Sequence, residues 1–154
     1  MMLTMKLTQA LKKKNRLAGE IKKLQNILYR ENARRNDNKS TVNREEVWNK
    51  INSISQELGL VKSAIAEANV PIYSKLERMA ELKSMISFIQ TLPTREGEEI
   101  SFIGRDQERL TYTWNSFINQ KQIDELVDKI QKEIDQHQDA VDAFNATTEV
   151  LVNV

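Results

Sequence analysis

The sequence predicts a mainly α-helical protein: a long antiparallel helical hairpin plus two further helices, four-helix-bundle-like or coiled-coil in packing. A β-hairpin is expected between the third and fourth helices. Three observations carry this. Apolar residues recur at Val47, Ile51, Ile54, Leu58, Val61 and Ile65, and again at Ile123, Val127, Ile130, Ile134, Val141 and Phe144, with His137 in the same row. Alternating steps of three and four keep one stripe along one side of an α-helix, as lengthwise helix packing requires. The composition agrees, because 29% charged residues with only four glycines and two prolines in 154 residues suits long, solvent-washed helices. Finally, one stretch near residues 98–116 changes to period two.

Taken in order, the first helix is expected over about residues 4–35. Its stripe holds Leu7, Ala10, Leu11, Leu17, Ala18, Ile21, Leu24, Ile27 and Leu28. The run Asn36-Asp-Asn-Lys-Ser-Thr ends it, since these side chains compete for their own backbone and favour turns. Asn43, with Glu46 three residues on, reads as the N-cap of a second helix over 44–69. Asn69 precedes Val70-Pro71, and the residue before a proline is pushed out of the α region.

A third helix is expected over 73–92, facing Leu76, Met79, Leu82, Met85, Ile86, Ile89 and Leu92 inward, with Pro93 ending it. Ile100-Ser-Phe102 and Leu110-Thr-Tyr112-Thr-Trp114 alternate and are rich in aromatic and β-branched residues, around a turn from Gly104 to Glu108. A lone two-stranded hairpin is marginal in water, so this one needs a covering surface. The fourth helix is expected over 119–147, with Asn119 and Gln122 in capping positions. No linker or composition shift divides the chain, so one domain over 1–154 is expected.

The chemistry that can be read is mostly exclusion. Cysteine is absent, which removes thiolate catalysis and Cys-ligated zinc. Gly19, Gly59, Gly97 and Gly104 are too scattered for a phosphate-binding loop. The single histidine, His137, sits in a helix stripe one turn from Glu133, and no Glu-x-x-His pair of the di-iron bundles exists. The expectation is therefore a protein that is not an enzyme, with no catalytic, cofactor or metal residue. No run approaches the ~18 apolar residues that span a bilayer, and no secretory leader is seen, which makes the cytoplasm the default location.

Charge is uneven. Residues 1–35 hold ten Lys/Arg against two Glu, whereas residues 119–154 hold three Lys against eight Asp/Glu. Lys12, Lys13, Arg16 and Lys23 on the basic helix, and Phe102, Tyr112 and Trp114 in the hairpin, are the candidate interaction residues. With a sequence pI near 7.9 and only Tyr29 beside the basic cluster, nucleic acid is not an expected partner. Asn43, Asn69, Asn119 and Asn145 fall near helix ends and are read as structural caps.

Met5-Lys-Leu-Thr-Gln-Ala-Leu11, Ile65 with Asn69, and Asn145 with Thr147-Thr148 together carry a resemblance. The chain resembles a family of small bacterial helical proteins, many bearing the label septicolysin. Their pattern opens Met-Lys-Leu-x-x-Ala-Leu, has Ile-x-x-x-Asn at the end of the second helix, and closes Ile-Gln-x-x-Asn-Trp-x-Thr. Phe144-Asn-Ala departs from it, because the usual tryptophan is missing. The resemblance implies homo-oligomerisation, with Met5 as the natural start and Met1–Thr4 upstream of it; the label implies lytic action. The expected role is a self-associating, non-enzymatic helical scaffold or protein-interaction module. The alternatives are a membrane-active toxin-like protein, or a ligand binder or enzyme whose site forms between subunits, near Trp48, Trp114 or His137.

Overall fold

A computed structural model describes residues 1–153. Among these residues the protein is mainly helical, with four α-helices and two small antiparallel sheets. In chain order these are β1 (Met2–Lys6), α1 (Leu7–Glu31), α2 (Arg44–Ala68), α3 (Tyr73–Gln90), β2 (Gly97–Ile103), β3 (Glu108–Trp114), α4 (Gln120–Thr147) and β4 (Glu149–Asn153). A single 3₁₀ turn, Val70–Ile72, carries Pro71 between α2 and α3. β1 pairs with β4 and β2 with β3. The chain falls into two compact units, one of Met1–Tyr73 with the stretch from Val141 onward, the other Ser74–Ala140.

The first unit is built on α1 and α2. Val47, Ile51, Leu58, Val61 and Ile65 of the α2 stripe are buried, and Leu7, Ala10 and Leu17 of α1 share one cluster with Leu58, Val61 and Ile65. Lys13 and Glu57 form an ion pair of 2.6 Å between the two helices. At the other end, the Arg44 guanidinium donates to the Glu31 carbonyl at 3.2 Å. The helices therefore run antiparallel.

The first helix does not begin near Thr4. Residues 2–6 are extended and pair with 149–153 in the register Leu3↔Val152, Thr4↔Leu151, Met5↔Val150. Local preference for Met, Leu and Lys in a helix is overridden by a strand partner at the far end of the sequence. The switch falls at Lys6, whose N–H donates to Gln9 Oε1 at 3.1 Å, while Leu7 N–H donates to the Thr148 carbonyl at 2.8 Å. Val150 and Val152 are buried in the same cluster as Leu7, Val61 and Ile65. This sheet has a helical surface beneath it, which is what two strands need to persist.

Glu31 organises the connection between α1 and α2. Its carboxylate accepts two bonds from Arg34 at 3.0 Å each and one from the Ser40 hydroxyl at 2.7 Å. The Ser40 bond, reinforced by the Arg34 charge and opposed by partial burial, holds this carboxyl below its usual 4.5. A carboxyl lowered by folding stabilises the native turn above its ordinary pKa, and that support is lost as pH falls through the lowered value. Amide protection over residues 32–43, taken relative to the intrinsic exchange rate at each pH, is therefore expected to fall as pH drops through the lowered value, and Glu31→Gln should abolish that step.

In the second unit, Met79, Leu82 and Ile89 of α3 are buried, as are Ile123 and Ile134 of α4. Arg78 Nε donates to Glu133 at 3.1 Å and joins the two helices. Met85, expected to face inward, is instead half-exposed beside the exposed Phe88. β2 and β3 pair in the register Glu99↔Tyr112, Ser101↔Leu110, Phe102↔Arg109. Gly104, at φ 78°, and Gln107, at φ 47°, take the left-handed conformation that closes the turn, with Gln107 N–H on the Gly104 carbonyl at 3.3 Å. Gly97, at φ 95°, starts β2 in a backbone conformation that a Cβ would strain.

Candidate functional site

The residues singled out by sequence fall in three places. Lys12, Lys13 and Arg16 line one shallow groove of the first unit together with Leu3, Thr4, Met5 and Gln9. Lys13 is already paired with Glu57 across the helical hairpin, whereas Lys12 and Arg16 are exposed. Lys23, also exposed, lies about two turns further along α1 and takes no part in this groove.

The four asparagines do different work. Asn43 Oδ1 accepts from Glu46 N–H at 3.1 Å, while the Glu46 side chain turns to Lys50 at 2.9 Å instead of closing a box. Asn119 and Gln122 do close one, each side chain accepting from the other's backbone N–H at 2.9 Å. Asn69 ends α2 through its backbone N–H on the Ile65 carbonyl. Asn145 lies inside α4, and its carbonyl accepts from the Thr8 hydroxyl at 2.9 Å. Replacing the cap with Asn119→Ala is expected to cost about 1 kcal/mol, seen as an earlier thermal transition of Trp114 fluorescence.

One convergence was hidden in the sequence. Met5, Leu7, Ala10 and Leu11, then Ile65 and Ala68, then Phe144 all belong to one packed cluster. Residues from the start of the chain, the end of α2 and the end of α4 therefore meet in one core.

The arm formed by β2 and β3 differs from everything else. Opposed residues of an antiparallel pair share a face. One face presents Ile103, Leu110, Tyr112 and Trp114 with Glu99, Ser101 and Glu108; the other presents Ile100 and Phe102 with Glu98, Arg109, Thr111 and Thr113. Phe102 is 63% exposed, Ile103 52%, Tyr112 50%, Ile100 45% and Trp114 44%. Phe102 thus lies on the face opposite Tyr112 and Trp114, so the three candidates are divided between the two faces, each of which exposes large apolar side chains.

The base of the arm is held by polar contacts. Arg95 stacks over the Trp114 ring at 4.6 Å and pairs with Glu99 at 3.2 Å. Trp114 Nε1 donates to the same Glu99 carboxylate, and Ser116 donates to Glu96. Arg95, Glu96 and Glu99 were not legible as a group, because their meeting depends on the strand register. These contacts fix the arm's exit and cover part of Trp114, leaving Ile100, Phe102, Ile103 and Tyr112 exposed.

Elsewhere, His137 is half-buried with Nε2 3.7 Å from the Glu133 carboxylate that also holds Arg78. Near Trp48, an open groove is lined by Gln25, Leu28, Tyr29, Asn32 and Ile51. Among the described residues no buried side chain is polar or charged, and no group of three or more His, Asp or Glu side chains is placed to hold a metal ion. Among them, too, no helix is long and apolar enough to cross a membrane. No protein-family model matches the chain, and no curated protein or solved structure matches it significantly.

Proposed function

We propose that this chain is a self-associating helical scaffold or interaction module, and that the β2–β3 arm is the element by which one copy engages another. The observation that carries this reading is the exposure of large apolar side chains on both faces of the arm. A ribbon apolar on one side would lie down on a surface. One apolar on both sides is suited to insertion between surfaces, and a two-stranded hairpin gains stability only when covered. Five large apolar side chains left about half exposed each forgo roughly 1 kcal/mol of burial. Homo-oligomerisation is also what the resemblance to the septicolysin-labelled proteins implies, and that membership is part of the same proposal.

Light scattering coupled to size exclusion tests it. The expected mass is a discrete multiple of 17.9 kDa, retained near 1 M salt, where screening shortens to about 3 Å and apolar seams persist. A mass that collapses to one chain at high salt would move the seam to the basic and acidic helices. Release of a trapped dye from liposomes by the pure protein at micromolar concentration would support the membrane-active alternative instead.

A further inference from the structure

Within this self-association reading, we infer that the outer edge of β4 is a two-fold seam, on which the β4 strand of a second copy pairs antiparallel about Leu151. The inference begins with one hydrogen bond. Leu7 N–H donates to the Thr148 carbonyl at 2.8 Å, in the same register as Lys6↔Glu149. In an antiparallel ladder such bonded pairs alternate. The backbone groups of Thr148, Val150 and Val152 therefore point towards β1, and those of Glu149, Leu151 and Asn153 point away from it. Among the described residues β4 has β1 as its one strand neighbour. Glu149, Leu151 and Asn153 are also the strand's exposed residues, Leu151 at 60%.

Proteins normally guard such an edge with lysine, proline or a bulge. β4 reads Glu-Val-Leu-Val-Asn and has none of these, and its one charge is met by Lys6 at 3.2 Å. The same five residues specify the occupant. Paired about Leu151, the strand sets Leu151 against the partner's Leu151, Val150 against the partner's Val152, and Glu149 against the partner's Asn153. Each valine stays on the buried face of a continuous four-stranded sheet, and every outward backbone group of β4 gains a partner. A slip of one residue would oppose valine to leucine across the two faces, which the pleat forbids. A near-palindrome with the correct face alternation is what a second copy of this chain supplies.

The chain has no cysteine, so single-cysteine variants give a direct test. In the seam, the two Leu151 Cα atoms lie about 5.5 Å apart, inside the 4.4–6.8 Å range a disulfide spans. Thr4, opposite Leu151 on β1, would lie roughly 14 Å from its counterpart, three strand spacings away. Under mild oxidation, Leu151→Cys is expected to form a covalent dimer at least tenfold faster than Thr4→Cys. Leu151→Lys, which leaves the β1–β4 ladder untouched, is expected to lower the light-scattering mass. If the wild-type chain is oligomeric but Leu151→Cys links no faster than Thr4→Cys and Leu151→Lys keeps the wild-type mass, the seam is wrong and self-association stands. A wild-type chain that is monomeric at every concentration overturns both.

Discussion

Leu7→Ala is expected to destabilise the first unit by about 2–5 kcal/mol, the cost of deleting a fully buried leucine and leaving a cavity. Leu7 has no exposed surface and sits in one cluster with Val61 and Val152, which are equally buried. It is also the first residue of α1, directly after the strand that pairs with β4. The side chain therefore joins three elements brought together from both ends of the sequence. Since domains are typically stable by only 5–15 kcal/mol, such a loss consumes a large share of the total. Urea titration at fixed protein concentration, followed by Trp48 in a Trp114→Phe background, measures it. A loss below about 1 kcal/mol would contradict this placement of the core.

The second large effect concerns association. Ile100→Ser, Phe102→Ser and Tyr112→Ser together remove apolar surface from both faces of the arm while keeping Trp114, which is bound to Glu99. At roughly 1 kcal/mol for each half-exposed side chain, the expected loss is about 3 kcal/mol per arm, more than a hundredfold in affinity. The variant should run at a lower mass than the wild-type chain, with unchanged helical circular dichroism. An unchanged oligomeric mass would show that the arm is not part of the contact.

The helices were legible because each carries its own periodicity. The α2 stripe from Val47 to Ile65 is buried or half-buried throughout, and the α4 stripe from Ile123 to Phe144 likewise. The β2–β3 arm was legible because alternation and turn residues lie within one short window. β1 was not: Met-Leu-Thr-Met-Lys reads as helix by itself, and its partner lies at the other end of the chain. The signal that could have found the β1–β4 sheet is Val150-Leu151-Val152, in which β-branched residues alternate just beyond Thr147, the last residue of α4. Among the candidate residues, sequence grouped Lys12, Lys13 and Arg16 by proximity, yet could not tell that Lys13 is committed to Glu57. It likewise named Phe102, Tyr112 and Trp114, whose division between two faces follows only from register.

Hydrogen exchange across residues 97–114, measured over a range of protein concentrations, tests the role of the arm most directly. If a second copy covers it, the amides of β2 and β3 should be protected at high concentration and lose that protection on dilution, while α1 and α2 stay protected. Arm amides exchanging at unprotected rates where the chain is fully oligomeric would contradict the account.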